Sequence, residues 1–224
     1  ASDFLSRAAA RTTAYGADDT RGRVIIDVSD PLTAAVIGTP VATSDARSVA
    51  LSDDGLTAYV ADGVAGLQII DLASREVTSL ESSSDPFTSY GVTLSSDNTT
   101  AYVGDDQRDF QVIDVSDPTA PSVTGAVAMT GTAVSVALSS DGRYAYVADD
   151  TVGLQSYDLD GGILNTVGVI GTVDTDGTPV SVTLSSDDNT AYVADSAGGL
   201  QIIDITDPAA PVTTTVATTG TAVS

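Results

Sequence analysis

The sequence predicts an all-β protein, a β-propeller of four-stranded antiparallel blades, five in number. Three observations predict it. Tyr and Asp recur twelve positions apart, as Tyr15/Asp27, Tyr59/Asp71, Tyr102/Asp114, Tyr146/Asp158 and Tyr192/Asp204. Successive tyrosines stand 44, 43, 44 and 46 residues apart, the length of a four-stranded blade. One strand of each unit is apolar on both faces, as in Leu67, Ile69 and Ile70 or Leu200, Ile202 and Ile203. A sheet with one wet face would alternate, so these sheets are sandwiched between neighbours.

The clearest unit, Val180 to Pro208, shows the elements in order. Val180–Ser185 alternates and reads as strand A. Ser186-Asp187-Asp188-Asn189 is a tight turn of residues that favour turns. Thr190–Ala194 is strand B, and the Gly-rich Asp195–Gly199 is a loop. Leu200–Asp204 is strand C, and the Asp207-Pro208 turn starts a Thr- and Val-rich outer strand D. The same order places blades at 1–46, 47–89, 90–133, 134–179 and 180–224, one propeller domain over 1–224. The Asp-Pro turn recurs at Asp30-Pro31 and Asp117-Pro118 but is lost after Asp71 and Asp158. The first unit is the most worn: Ala1–Ser6 aligns with strand A of the fourth unit, Val134–Ser139, with two extra residues before Tyr15. Phe4–Arg11 is the one weak candidate for an amphipathic helix.

Composition narrows the function. The chain has no run of apolar residues long enough for a membrane helix, so membrane insertion is not expected. It opens without Met, which reads as a processed exported protein or a piece of a longer one. Its 31 acids are 29 Asp and two Glu, Glu76 and Glu81, against eight Arg and no Lys. A net charge of −23 repels nucleic acid and anionic membranes, and suits an extracellular, saline or calcium-containing setting. With no Cys and no His, thiol catalysis, a Ser-His-Asp triad and the usual transition-metal ligands are excluded. The lack of Lys excludes a Schiff base.

The strand C sequences Leu67–Asp71 (LQIID), Phe110–Asp114 (FQVID), Leu200–Asp204 (LQIID) and Val24–Asp27 (VIID) carry a family likeness. So does AYVAD at Ala58–Asp62, Ala145–Asp149 and Ala191–Asp195. In these residues the chain resembles the LVIVD-repeat family. The resemblance implies a β-propeller, usually on an exported or surface-attached bacterial or archaeal protein, and implies no common activity. Blade one departs most, with Gly22-Arg23-Val24 in place of Gly-Leu-Gln.

Three rings of Asp follow from the repeat. One closes strand B: Asp18, Asp62, Asp105, Asp149 and Asp195. One closes strand C: Asp27, Asp71, Asp114, Asp158 and Asp204. One sits in the A–B turn: Asp54, Asp97, Asp141 and Asp187. Short carboxylates that recur once per blade are expected to accept backbone N–H groups in their own turns. Calcium is the only candidate cofactor. Its candidate ligands are Asp158 and Asp160, followed by Gly161, and Asp174 and Asp176, followed by Gly177, because alternating Asp before Gly can wrap a hard cation in oxygens. Neither pair has a third spaced acid, and both also read as Gly-terminated turns.

Enzyme chemistry is not expected. Glycosidases on propellers need two carboxylates across a pocket, and both Glu fall in or beside one outer strand. The runs Ser52–Gly55 and Ser140–Gly142 resemble the Asp-box of sialidases but lack its Trp and its spacing. Phe87, Tyr90, Phe110 and Tyr144 vary between blades and are the only aromatics free to stack a sugar; core or blade-edge packing is the plainer expectation. Asn98-Thr99-Thr100 is a glycosylation sequon on a predicted turn. The expected role is a non-catalytic exported module at the cell surface, structural or interacting. Rival readings are a calcium-dependent adhesion or ligand-binding module and a glycan-active enzyme. The expected partners are other copies of the chain, as a homo-oligomer or filament, or other surface proteins. Gly220–Ser224 repeats Gly131–Ser135, the lead into strand A, and this motivates self-association.

Overall fold

The computed structural model describes residues 4–10, 13–18, 22–27, 35–36, 45–80, 88–106, 109–159 and 168–214. Blade one is β1 (Phe4–Ala10), β2 (Thr13–Asp18), β3 (Gly22–Asp27) and β4 (Ala35–Val36). Blade two is β5 (Ser48–Leu51), β6 (Thr57–Ala61), β7 (Leu67–Asp71) and β8 (Val77–Leu80). Blade three is β9 (Ser89–Leu94), β10 (Thr100–Asp105), β11 (Asp109–Asp114) and β12 (Ser122–Ala128). Blade four is β13 (Ala133–Leu138), β14 (Tyr144–Asp149), β15 (Gly153–Asp158) and β16 (Val169–Val173). Blade five is β17 (Pro179–Leu184), β18 (Thr190–Asp195), β19 (Gly199–Asp204) and β20 (Val212–Thr213). Each is a separate antiparallel four-stranded meander in chain order.

The helix candidate Phe4–Arg11 is not a helix. Residues 4–10 form strand A of blade one, pairing Ala8 with Tyr15 and Ala10 with Thr13. Cross-strand pairing overrides the alanine-rich helix propensity there. The pairing also moves strand A from the aligned Ala1–Ser6 to Phe4–Ala10, so only residues 11 and 12 separate the strands. Strand A carries a register shift near its start, between Phe4 and Ser6, Ala133 and Ser135, and Pro179 and Ser181. The matching shift in blade three falls where Ser89 pairs Asp105 and Gly91 pairs Gly104. A bulge at one fixed point in blades one, three, four and five bends their inner strands alike.

The A strands are innermost and touch in sequence, β1 with β5, β5 with β9, β9 with β13 and β13 with β17. Apolar clusters fill the spaces between blades. Tyr59, Leu67 and Ile69 of blade two meet Val92, Val103 and Ile113 of blade three. Tyr102, Phe110 and Val112 meet Val136, Val147 and Tyr157. Tyr146 and Leu154 meet Val182, Val193 and Ile203. The two-faced strand C is therefore explained: Leu67 and Ile69 pack forward on blade three, and Ile70 is buried on the opposite face with Val49, Ala58 and Val60. Phe110 bridges blades, its ring 5.8 Å from Tyr102 and 5.8 Å from Tyr157.

Tyr59, Tyr102 and Tyr146 are buried, but Tyr192 is partly exposed. Sequence periodicity reports which face of a blade a residue is on, and cannot report how fully that face is covered. Among the described residues no helix is long and apolar enough to cross a membrane.

Candidate functional site

The A–B turn is built the same way in blades two to five. The serine that ends strand A donates to the turn carboxylate at 2.6 Å in Ser52/Asp54, Ser95/Asp97, Ser139/Asp141 and Ser185/Asp187. The same carboxylates accept the N–H of Leu56, Thr99, Arg143 and Asn189. The serine hydroxyls, and then these N–H groups, hold all four carboxyls below the usual carboxylate range. The serines were missed as functional parts of the turn, although their spacing repeats with the period of the tyrosines.

The strand B carboxylates are buried. Asp62, Asp105, Asp149 and Asp195 are at most 2% exposed. Asp62 accepts the N–H of Asp45 at 2.7 Å, Asp149 that of Gly131 at 3.1 Å, and Asp195 that of Gly177 at 3.0 Å. Each bond ties the end of strand B to the segment entering strand A. Asp149 also accepts from Thr151 and Val152, and Asp195 from Ala197 and Gly198, which shapes the B–C loop. Burial pushes the Asp195 carboxyl up, but these backbone donors, Gly198 foremost, outweigh it and leave it below its ordinary value. Gln68 and Gln201 hold the same loop by donating to the carbonyls of Ala65 and Gly198.

The strand C carboxylates cap the turn that follows them. Asp71 accepts the N–H groups of Ala73 and Ser74, Asp114 the N–H and hydroxyl of Ser116, and Asp204 those of Thr206. Asp158 instead pairs with Arg143 at 3.1 Å.

The two candidate calcium pairs start at opposite ends of strand C of blade four. Asp158 ends strand C. Asp174 follows Val173, which pairs with Leu154 at the other end of that strand. Asp160 lies outside the described residues. Asp174 and Asp176 are exposed. Among the described residues no three acidic side chains converge closely enough to hold a metal ion.

The inner strands line a groove of about 420 Å³. Its walls include Val136, Leu138, Val182 and Leu184, and Asp188 is the only acid on them among the described residues. Asp188 accepts the N–H and hydroxyl of Ser140. Among the described residues the groove mixes these apolar side chains with Thr93, Thr183, Ser185 and Ser186, and shows no facing pair of carboxylates. Of the varying aromatics, Phe110 is fully buried. Tyr90 lies under the Arg47 guanidinium at 4.0 Å and Tyr144 beside Arg143 at 5.1 Å. Phe87 lies outside the described residues, as does Glu81. Asn98 sits in its turn with φ of 59° and accepts the N–H of Asp53 through its amide oxygen.

These meanders of four strands, packed face to face around inner strands, define a β-propeller. The LVIVD repeat matches residues 14–38, 44–83, 100–129, 130–155 and 181–219, and the chain belongs to the LVIVD-repeat family. No curated protein matches it. Among solved structures, it is similar to a functionally unknown protein from Desulfotomaculum acetoxidans, with 16% identity and a TM-score of 0.71 over 91% of this chain and 66% of that one. It is similar to Kuenenia stuttgartiensis hydrazine synthase, with 17% identity and a TM-score of 0.68 over 89% and 64%. It is also similar to the β-propeller domain of Myceliophteria thermophila Cps50 (Swd1), with 11% identity and a TM-score of 0.69 over 90% and 70%. The chain spans about two thirds of the length of these structures, and at such identities the likeness is one of fold.

Proposed function

We propose that the chain is a non-catalytic propeller module of an exported protein, acting at the cell surface through protein–protein contact. One observation carries this reading. The recurrent carboxylates, the commonest reactive groups in the chain, are engaged by hydrogen bonds inside their own blades. Among the described residues the groove offers one acid, Asp188, clamped by Ser140, where glycoside hydrolysis needs two carboxylates. The acidic charge and the exported habit implied by the family resemblance support a place outside the cell.

Three measurements test the reading. Intact cells of the source are shaved with protease; loss of the protein supports surface display, and full protection overturns it. A panel of chromogenic glycosides is incubated with the pure chain; turnover abolished by substituting an acid of the groove would establish the enzymatic rival. Thermal melts at low salt, with calcium and with chelator, separate the calcium-dependent rival. The expected result is superimposable melts. A chelator-sensitive melt that becomes insensitive in Asp176→Ala would instead assign calcium to the Asp174–Gly177 loop.

A further inference from the structure

The groove between the inner strands lies beside the A–B turns of blades four and five. Leu138 of β13 and Leu184 of β17 stand on its walls, and Ser140 and Asp188 come from the two turns. Both leucines are partly exposed, so their methyl groups are open to an occupant. Asp188 is half engaged. Its Oδ2 accepts both the N–H and the hydroxyl of Ser140, and among the described residues no donor reaches its Oδ1. The same division runs through the turns around it. Asp97, Asp141 and Asp187 use Oδ1 alone for their serine and N–H donors, and all three residues are exposed. The turns stand at the end of the blades where strand C also finishes, with Asp114 opposite Thr100 and Asp204 opposite Thr190. In the A–B turns of blades three to five the one cation is Arg143, and it is paired with Asp158.

Methyl groups beside a half-engaged carboxylate, under a negative rim, match one kind of side chain. Arginine and lysine lay an aliphatic stem along apolar surface while the charged head seeks an acceptor. An acidic segment is repelled from this end. A wholly apolar segment would take water from Asp188 and give no donor in return. We propose that the groove docks an extended segment of a basic partner protein, with an arginine or lysine stem along Leu138 and Leu184 and its head on Oδ1 of Asp188. Charge complementarity favours a different protein over another copy of this chain, which has eight Arg, no Lys and a net charge of −23. The groove, about 420 Å³, has room for one such side chain and the backbone on either side of it. This inference rests on the reading of the chain as an interaction module and names the surface and the kind of partner of that module.

Fluorescence anisotropy of labelled peptides tests it. The probes are of equal length and alternate leucine with arginine, leucine with glutamate, or glycine with arginine. The leucine–arginine peptide is expected to bind, the glycine–arginine peptide to bind more weakly, and the leucine–glutamate peptide not to bind. Asp188→Asn keeps an acceptor for Ser140 and should weaken binding about tenfold, the worth of one charge-assisted hydrogen bond. Thr183→Lys puts a cation on an exposed wall of the groove and should abolish binding. Asp174→Asn, an exposed acid at the other end of the blades, should leave it unchanged. Circular dichroism confirms that each variant is folded. No binding of the leucine–arginine peptide to the folded wild type overturns the proposal. Equal affinity for the two arginine peptides, or affinity indifferent to Asp188→Asn and Thr183→Lys, would show only a general attraction of cations to an acidic surface, and also overturns it. Displacement of the peptide by an equal concentration of spermine would assign the groove to polyamines and overturn it too. Surface display and lack of hydrolysis are measured independently, so failure here leaves the broader reading standing.

Discussion

Asp188 of blade five accepts both the backbone N–H of Ser140, at 2.9 Å, and its hydroxyl, at 2.5 Å, and Ser140 belongs to blade four. Asn98 of blade three does the same for the N–H of Asp53 in blade two, at 3.2 Å. Both acceptors occupy the left-handed position of the A–B turn, with φ of 56° and 59°. Blades two and four place Gly55 and Gly142 there, with φ of 69° and 70°. Asn and Asp tolerate this backbone and, unlike Gly, bring a side chain that clamps the preceding blade.

Asp188→Gly should keep the turn and lose the clamp. The expected loss is about 1–2 kcal/mol, two partly exposed hydrogen bonds less the relief of backbone strain. That corresponds to a melting temperature lower by roughly 2–8 °C in a chain of this size. Asp188→Asn, which keeps the acceptor, should melt close to wild type. Equal destabilisation by both variants would argue against the clamp.

Tyr146 and Tyr192 share a repeat position and should differ sharply on truncation. Tyr146 is 1% exposed between blades four and five. Tyr146→Ala is expected to cost about 3–4 kcal/mol through lost burial and a cavity. Tyr192→Ala, at the partly exposed face, should cost about 1 kcal/mol in dilute protein at low salt. Urea denaturation of the two variants checks the difference, and equal costs would mean that the Tyr192 face is covered under those conditions.

Gly104 stands where blades two, four and five have Ala61, Ala148 and Ala194. Making blade three conform should harm it. A Cβ on Gly104 would strike the carbonyl oxygen of Ala133 and come 2.8 Å from its Cβ. Gly104→Ala is expected to destabilise by about 1–3 kcal/mol, the usual range for overpacking, read from the denaturation midpoint.

Acid should unfold the protein through its turns. The folded chain holds Asp54, Asp97, Asp141, Asp187 and Asp195 below their ordinary carboxylate values. The unfolded chain then binds protons more readily than the folded one. The contribution is complete above the ordinary carboxylate range, near pH 4, and is lost as pH falls through the lower folded values. Protonation also relieves charge repulsion, which acts in the opposite sense and is screened by salt. At high salt, stability should therefore fall from pH 5 to pH 3, and Asp195→Asn should shallow the slope. A flat profile over that interval would contradict the assignment.

Much of the architecture was legible in the sequence. Strand A at Val180–Ser185 and strand C at Leu200–Asp204 fall within a residue of β17 and β19, because alternation and turn residues act locally. Of the candidate site, the local part was legible: an Asp once per blade, short enough to reach a neighbouring N–H, does so in Asp114 and Asp187. The buried link from Asp149 back to Gly131 was not, since it joins residues 18 apart through a bulged strand. Nor was the separation of Asp158 from Asp174, which depends on which way strand D runs beside strand C.

The sequence by itself determined what each blade is: the strand period, the two-faced strand C and the carboxylate turns are set by contacts within about fifty residues and repeat with them. Only the tertiary structure decided how the blades meet. How far one blade covers the next depends on the cumulative rotation from blade to blade, and no single repeat encodes that angle. It arises from how Tyr146 and Leu154 pack on Val193, how Tyr102 and Phe110 pack on Tyr157, and how closely Gly104 lets Ala133 approach.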